Sequence, residues 1–225
     1  MAQGFAVRAK NLWSQIVVSH KQALLLLPSI SEVRRITQSL AMLDAILSPE
    51  WDYRYYSFDR NWAPGEEMAS MRNGLGDDWF LLLNSAGAAV KGFAHELADG
   101  PSLAQNIQTQ VPENFSSFLN EQAFSMQNAT FCYWRRTNDP SWSKVSGSPS
   151  GDGSGDMLAL LANDPSGYKE WAEDYFEAPI ELDVVKALFT HQPLNDSLIL
   201  ALNPEADLGS TYAEALEIGY PSKEP

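Results

Sequence analysis

The segment from Asp77 to Glu96 constrains the fold more than any other part of the sequence. It reads DDWFLLLNSAGAAVKGFAHE, in which two apolar runs flank the small, turn-forming residues from Asn84 to Gly87. Short apolar runs joined in this way are typical of two antiparallel strands connected by a tight turn. The segment therefore predicts a β-hairpin, and a fold for this chain must contain an antiparallel sheet.

Other sheet-forming segments lie on both sides of this hairpin. WDYRYYSFD, residues 51–59, predicts a strand. NATFCYWRR predicts another, with Cys132 and Trp134 on one face and Phe131 and Tyr133 on the other, so that both faces carry bulk. The apolar run DMLALLA, residues 156–162, predicts a further strand. Between the first strand and the hairpin, PGEEMASMRNGLG predicts a short helix or a structured loop, because proline and glutamate are typical of a helix start.

Helical spacing of apolar residues dominates the two ends of the chain. Residues 1–50 predict a helical hairpin, whose first helix ends at Pro28 and whose second begins with Ser31 as N-cap and ends before Pro49. VPENFSSFLNEQAF, residues 111–124, predicts a short helix. The C-terminal part predicts four helices punctuated by prolines, over 164–176, 182–190, 194–202 and 211–218.

This order of elements predicts one α+β domain with a mostly antiparallel sheet. The helical hairpin at residues 1–50 and an acidic helical region at residues 164–225 flank a sheet region at residues 51–163. Within the sheet region, residues 138–156 are rich in glycine, serine, proline and aspartate, and they predict a mobile loop or a linker.

Charge is concentrated at the C-terminal end. The net charge of the 225 residues is −14, and residues 151–225 hold fifteen acidic but only three basic side chains. Such a field repels nucleic acid and anionic lipid and attracts basic proteins, although acidity can also serve solubility alone. The sequence has neither a secretory signal nor an apolar run of membrane-spanning length, and its single cysteine excludes an internal disulfide framework. We therefore expect a cytoplasmic protein that binds neither nucleic acid nor membranes.

The segment YKEWAEDYFEAPIELD, residues 168–183, contains six acidic residues interleaved with aromatic ones. If Asp164 caps a helix with Pro165 at its first position, the aromatic residues form a buried stripe. The remaining face then points to solvent, and we call it the acidic face; it consists of Glu170, Glu173, Asp174 and Glu177.

The acidic face is interpreted either as a solvated helix surface or as a docking surface for a basic partner, and the sequence leaves both open. Solvated carboxylates without histidine or cysteine neighbours indicate neither acid-base catalysis nor a metal site. Like charges at i,i+4 cost helix stability, so these acids do not stabilise the helix itself. The predicted partner-binding residues are the four acids of this face with Glu181 and Asp183, and two aromatic anchors, Trp62 and Trp142, for which burial in the core is the alternative.

Motifs for catalysis or cofactor binding are not found in the sequence. Cys132 sits in an aromatic strand pattern and is expected to be a buried hydrophobe. The three histidines lack metal-ligand spacing, and the calcium-loop pattern matches at Asp152, Ser154 and Asp156 but fails afterwards. We expect no cofactor, no metal and no enzymatic activity. The alternative is a hydrolase or transferase whose site is assembled from distant residues, for example Glu66, Arg72, Asp78 and His95.

Three segments together carry a resemblance to a known group of proteins. They are YYSFDRNWAPGEEMASMRNGLGDDWFLLLNSAGAAVKGFAHE, FCYWRRTNDPSW and YKEWAEDYFE. They resemble bacterial immunity proteins encoded beside polymorphic toxins, most of all the partners of nuclease toxins, including type VI secretion effectors with a restriction-endonuclease-like domain. The similarity runs from about Tyr55 to Tyr220.

The resemblance implies a protein that neutralises a toxin by binding it, using neither cofactor nor chemistry. It identifies no functional residue, and it leaves open whether the toxin's active site is covered or its assembly is locked. The oligomeric state is likewise open. A second alternative is an adaptor or chaperone that binds a basic protein without neutralising an activity.

Overall fold

The computed structural model describes residues 27–223 apart from residues 99, 101 and 163. The first helix of the predicted hairpin falls in residues 1–26 and so lies outside the described residues. The second is helix α1, Ile30–Leu47. Its N-cap is Ser29, and the prediction of Ser31 was wrong because Ser29 stands three residues before Glu32 and forms a capping box with it. Glu32 accepts a hydrogen bond from the backbone N–H of Ser29 at 3.1 Å.

Six strands form one antiparallel sheet, and their order in the sheet follows their order in the chain. This confirms the α+β fold with a mostly antiparallel sheet. The strands are β1 (Tyr56–Ala63), β2 (Glu66–Arg72), β3 (Asp78–Asn84), β4 (Gly87–Phe93), β5 (Phe131–Arg136) and β6 (Ser143–Lys144).

The predicted hairpin is formed by β3 and β4, and it is confirmed in detail. Asn84 pairs with Gly87, and the side-chain oxygen of Asn84 accepts a hydrogen bond from the N–H of Ala86 at 2.9 Å. Gly87 has a φ of 146°, and a Cβ placed on it would lie 2.1 Å from the carbonyl oxygen of Arg135. Only glycine lets β5 approach the end of this turn so closely.

The described helices after the sheet's first four strands fall into two groups. Before β5 lie α2 (Ala104–Gln110) and α3 (Ser116–Asn120), together with short 3₁₀ turns. The predicted helix at 111–124 corresponds to α3 and the two 3₁₀ turns that flank it. After β6 lie α4 (Ser154–Met157), α5 (Pro165–Phe176), α6 (Leu182–Phe189), α7 (Asp196–Leu202) and α8 (Leu208–Ile218).

Both faces of the sheet are covered by apolar side chains. The larger core lies between one face and helices α1, α5, α6, α7 and α8, and it includes Phe131 and Tyr133 of β5. The smaller core lies between the other face and helices α2 and α3, and it includes Cys132, with Trp134 packed against it. The alternation predicted for β5 is therefore confirmed. Residues of all three predicted regions contribute to the larger core.

Three local predictions were wrong. The segment 64–76 contains strand β2 rather than a helix or loop, since its backbone pairs with both β1 and β3. DMLALLA lies in α4 and a following 3₁₀ turn rather than in a strand. Residues 51–53 form a 3₁₀ turn, so the first strand starts only at Tyr56.

The segment 138–156 is packed against the molecule, contrary to the prediction of a mobile loop or linker. It contains β6, and Trp142, Val145 and Asp152 are buried in it. Asp152 accepts hydrogen bonds from the N–H and hydroxyl of Ser154, and its second oxygen lies 2.6 Å from the Lys144 ammonium. These polar contacts satisfy the buried carboxylate of Asp152, which holds this part of the segment against the sheet.

Candidate protein-binding surface

Helix α5 presents the acidic face as the sequence predicts. The Asp164 carboxylate accepts a hydrogen bond from the N–H of Gly167, and Pro165 occupies the first helical position. Tyr168, Trp171 and Ala172 are buried in the larger core. On the opposite side, Glu170, Asp174 and Glu177 are exposed and Glu173 is partly exposed.

Glu173 is held by internal partners, unlike its neighbours on the acidic face. Its carboxylate accepts a hydrogen bond from the N–H of Ile180 at 3.0 Å and lies 2.5 Å from the Lys169 ammonium. The Ile180 hydrogen bond, and after it Lys169, lowers the pKa of the Glu173 carboxyl. Glu173 therefore fixes the loop that follows α5, and Lys169 already balances its charge.

The remaining predicted acids lie around the end of α5 and the start of α6. Glu177 ends α5 in the left-handed conformation with a φ of 52°. Glu181 precedes α6 and is exposed, and its side chain does not cap the helix. Asp183 is 95% exposed and lies 3.4 Å from Lys186. The structure thus exposes Glu177, the last residue of the acidic face, and also Glu181 and Asp183 beyond it.

Neither predicted tryptophan anchor is freely exposed. Trp142 is only 3% exposed, and its indole N–H donates to the carbonyl of Pro28 at 2.8 Å, so it belongs to the core. Trp62 is half-buried and stacks on Phe124 with a centroid distance of 6.1 Å. For Trp142 the alternative of burial in the core is confirmed, because the loop around it packs on the sheet.

Two other aromatic residues, which sequence reasoning placed in a strand, are exposed. Trp51 is 53% exposed and Tyr53 is 64% exposed, and both belong to the 3₁₀ turn Trp51–Tyr53, which we call the aromatic turn. Glu50 and Asp52, beside them in the chain, are exposed as well. Alternating bulky residues from 51 to 59 gave no signal that separates turn from strand, so the sequence did not identify them.

Arg54 attaches the aromatic turn to α8 and to the residues that follow α1. Its side chain is only 6% exposed, and it makes a bidentate pair with Glu214 of α8 at 2.8 and 2.9 Å. It also donates to the carbonyls of Ser48 and Pro49 at 2.9 and 3.1 Å. The guanidinium carbon lies 5.7 Å from the centre of the Trp51 ring. Bidentate pairs of this kind fix geometry as well as charge, so the turn is held in one orientation.

Asp44 joins the aromatic turn to the helix that carries the acidic face. One carboxylate oxygen of this fully buried residue accepts from the N–H groups of Tyr55 and Tyr56 at 2.9 and 2.8 Å. The other accepts from the Tyr168 hydroxyl of α5 at 2.9 Å. Burial raises the pKa of the Asp44 carboxyl from 3.8 to about 7, although these hydrogen bonds and Arg54 act in the opposite direction. The aromatic turn and the acidic face thus share one buried support.

A second contact links the two surfaces directly. The Tyr175 hydroxyl of α5 donates to the carbonyl of Tyr53 at 3.3 Å. Tyr175 also stacks on Trp171 at 5.2 Å between ring centres. Tyr175 therefore links α5, the helix that carries the acidic face, to the aromatic turn.

The structure separates Glu66 from the other three residues of the enzymatic alternative, which lie at the opposite end of β2 and β3. Arg72 of β2 and Asp78 of β3 are opposite each other in the strand register. Glu66 lies at the far end of β2, where its carboxylate accepts a hydrogen bond from the Ser117 hydroxyl. Asp78 is 2.6 Å from the buried Lys91. His95 instead bonds Asp77, with 2.6 Å between its Nδ1 and the carboxylate oxygen.

Two open depressions lie on the described surface, and neither of these two brings the four residues together. One is lined by residues 60–67 and the other by residues from Gln108 to Arg136. Neither depression includes Arg72, Asp78 or His95. The carboxyl whose pKa is raised to about 7, that of Asp44, is fully buried and lines neither depression.

The residues considered as metal ligands or as a nucleophile have other surroundings than such roles require. Within residues 27–223 as described, no group of three or more His, Cys, Asp or Glu side chains is placed to hold a metal ion. Asp152 and Ser154 of the partial calcium motif bond each other, and Lys144 takes the other Asp152 oxygen. Cys132 is buried, and burial raises the pKa of its thiol, as expected for a small core residue. Among the described helices, none has the length and apolar character needed to cross a bilayer.

Comparison with known proteins gives no match, whether to a protein-family model, to a curated protein or to a solved structure.

Proposed function

We propose that this chain is an immunity protein that binds a cognate bacterial toxin, a nuclease effector, and neutralises it by protein contact in the cytoplasm. The observation that carries the proposal is the acidic face of α5: Glu170, Asp174 and Glu177 are exposed on a helix whose other side is buried in the larger core. A rigid array of carboxylates can be presented to a partner without first being ordered.

The chemistry of a nuclease supports this choice of partner. A nuclease must be positively charged where it grips phosphate groups, and a carboxylate array can compete for that surface by resembling the charge of the substrate. The net charge of −14 gives the whole molecule the sign needed for rapid association with such a protein. The resemblance of residues 55–96, 131–142 and 168–177 to immunity proteins points in the same direction.

Co-expression tests the class of function. The product of the gene next to the one that encodes this chain is expressed in a bacterial host with and without the chain. We expect growth arrest with DNA or RNA degradation when the neighbour is expressed alone, and survival when both are present. Survival of the host with the neighbour alone would contradict the proposal, and binding without rescue would favour the adaptor alternative.

A charge-reversal pair tests the acidic face. Glu170→Lys with Asp174→Lys is compared with Glu113→Lys with Glu205→Lys, which changes the charge equally at exposed positions elsewhere. By calorimetry, the first pair should weaken toxin binding by about a hundredfold, because like charges then oppose each other in the interface. The control pair should change affinity far less. Equal affinities of the two variants would remove α5 from the interface.

A further inference from the structure

The aromatic turn is an exposed apolar feature that the acidic face alone does not explain. Five large hydrophobic side chains are exposed among the described residues, namely Trp51, Tyr53, Leu75, Leu200 and Leu216. Trp51 and Tyr53, the two aromatic residues of this set, lie two positions apart in the same three-residue turn. Tryptophan and tyrosine are also the residues that most often dominate the energetics of protein interfaces.

Hydrogen bonds hold the backbone of the aromatic turn in one conformation before any partner binds. Arg54 ties it to α8 and to the end of α1, Asp44 holds the next two backbone N–H groups, and Tyr175 holds the Tyr53 carbonyl. Its backbone is thus fastened from three elements while its rings stay exposed. A surface that is already ordered loses little conformational entropy when a partner docks.

The charges around the rings indicate a cationic partner. Glu50 and Asp52 flank Trp51 and are exposed, whereas the charge of Arg54, whose guanidinium lies against the Trp51 ring, is balanced by its bidentate pair with Glu214. Carboxylates beside aromatic rings repel phosphate groups and attract guanidinium or ammonium groups. The planar guanidinium suits such a surface better, since it can stack on a ring and pair with a carboxylate in a bidentate manner.

The contact of Arg54 with Trp51 shows this geometry inside the molecule. The guanidinium carbon lies 5.7 Å from the ring centre, within the range of a cation–π interaction. About half of the Trp51 side chain is still exposed, so part of its surface is open to a second cation.

We propose that the aromatic turn, with Glu50 and Asp52, is the docking site for an arginine-bearing segment of the partner protein. Trp51 and Tyr53 receive the guanidinium groups, and the neighbouring carboxylates pair with them. The inference deepens the proposed function and rests on it for the identity of the partner, but the preference of the surface for guanidinium is tested without that partner.

The test uses the full chain labelled with ¹⁵N and a peptide of four Gly-Arg repeats as probe. The indole N–H signal of Trp51 is assigned with Trp51→Phe. We expect the Trp51 indole and the backbone amides of residues 50–54 to shift saturably with the peptide. A peptide of Gly-Lys repeats should bind several-fold more weakly, and Gly-Glu repeats should cause no shift.

A matched pair of variants separates the aromatic turn from general acidity. Trp51→Ala with Tyr53→Ala should weaken binding of the Gly-Arg peptide about tenfold, the effect expected for two exposed cation–π contacts. Leu200→Ala, at another exposed apolar position, should leave that affinity unchanged. Shifts confined to α5, or equal affinities of the double variant and the control, would overturn the inference.

The same variants distinguish a failure of the proposed function from a failure of the inference about the aromatic turn. If Glu170→Lys with Asp174→Lys abolishes toxin binding and the Trp51, Tyr53 double variant binds like the control, the inference fails and the proposed function survives. If the Gly-Arg peptide binds at the aromatic turn and the neighbouring gene product is not a toxin, the proposed function fails and the inference survives.

Discussion

The Tyr168 hydroxyl donates a 2.9 Å hydrogen bond to the buried carboxylate of Asp44, 124 positions earlier in the chain. Asp44 lies in α1 and Tyr168 in α5, and the second Asp44 oxygen holds the backbone where β1 begins. The Asp44 side chain therefore connects α1, the first strand and the helix of the acidic face. Several properties of the molecule depend on this connection.

Removal of the Tyr168 hydroxyl should destabilise the fold measurably. Tyr168→Phe leaves one Asp44 oxygen buried without a donor, which costs about 1–3 kcal/mol in the free energy of unfolding. Tyr175→Phe on the same helix is the control, because its hydroxyl makes a longer bond near the surface and should contribute less than about 1 kcal/mol. Urea unfolding at pH 7 measures both. A larger loss for Tyr175→Phe would show that Asp44 does not hold α5 in place.

Stability should fall as pH rises from about 4 to about 7 through the titration of Asp44. Its folded pKa of about 7 is above the ordinary value of 3.8, so the folded state binds a proton that the unfolded state has released. That contribution is fully present below pH 4 and is lost above pH 7, an effect of about 4 kcal/mol at about 1.4 kcal/mol per pH unit.

Asp44→Asn provides the control for this titration. The amide oxygen can accept from Tyr55 and Tyr56 while its NH₂ group donates to the Tyr168 oxygen, so the packing is kept and the ionisation is removed. The difference in unfolding free energy between the variant and the parent should grow from pH 4 to pH 7 in favour of the variant. A constant difference over that range would rule out titration of Asp44.

The pair of Lys91 and Asp78 should respond unequally to substitution of its two members. The Lys91 side chain is fully buried between Asp78 and the Phe80 ring, whereas that of Asp78 is partly exposed, and burial lowers the pKa of the Lys91 ammonium. Asp78→Asn leaves a buried cation without its counter-charge and should cost about 3–5 kcal/mol. Lys91→Met keeps the volume and leaves only a carboxylate that water can reach, so its cost should be smaller.

Denaturant unfolding of these two variants and of the double variant completes a cycle. The double variant should be closer to Lys91→Met than to Asp78→Asn, because the penalty arises from the buried ammonium. Equal losses for the two single variants would show that the ammonium is solvated in the folded protein.

The sequence predicted those parts of the fold whose signal is local. The turn from Asn84 to Gly87, the stripe of α5 and its Asp164 cap depend on residues within a few positions of one another, and all three are confirmed. The Ser29 cap was also readable, since Glu32 stands at capping-box spacing.

Strand β2 was missed because its residues have little preference for strands. Glu66, Ala69 and Met71 are typical of helices, and pairing with neighbours on both sides overrides that preference. Its two buried faces also remove the alternation of polar and apolar residues that identifies a strand. The aromatic turn was missed for a related reason, as Arg54 fixes it through Glu214, 160 positions away.

The acids of α5 should differ in their contribution to binding, and the structure predicts how. Glu173 is balanced by Lys169 and bonded to Ile180, whereas Asp174 is exposed beside it on the same helix. Asp174→Asn should therefore weaken binding to the proposed cationic partner, and the loss should shrink as salt rises, because exposed charges are screened. Glu173→Gln removes the same charge and should have a smaller effect, since the partner gains less from a carboxylate already paired within the chain. Calorimetry of both variants at two salt concentrations measures the difference. A greater loss for Glu173→Gln would mean that the loop fixed through Ile180, and not the free carboxylates of α5, makes the contact.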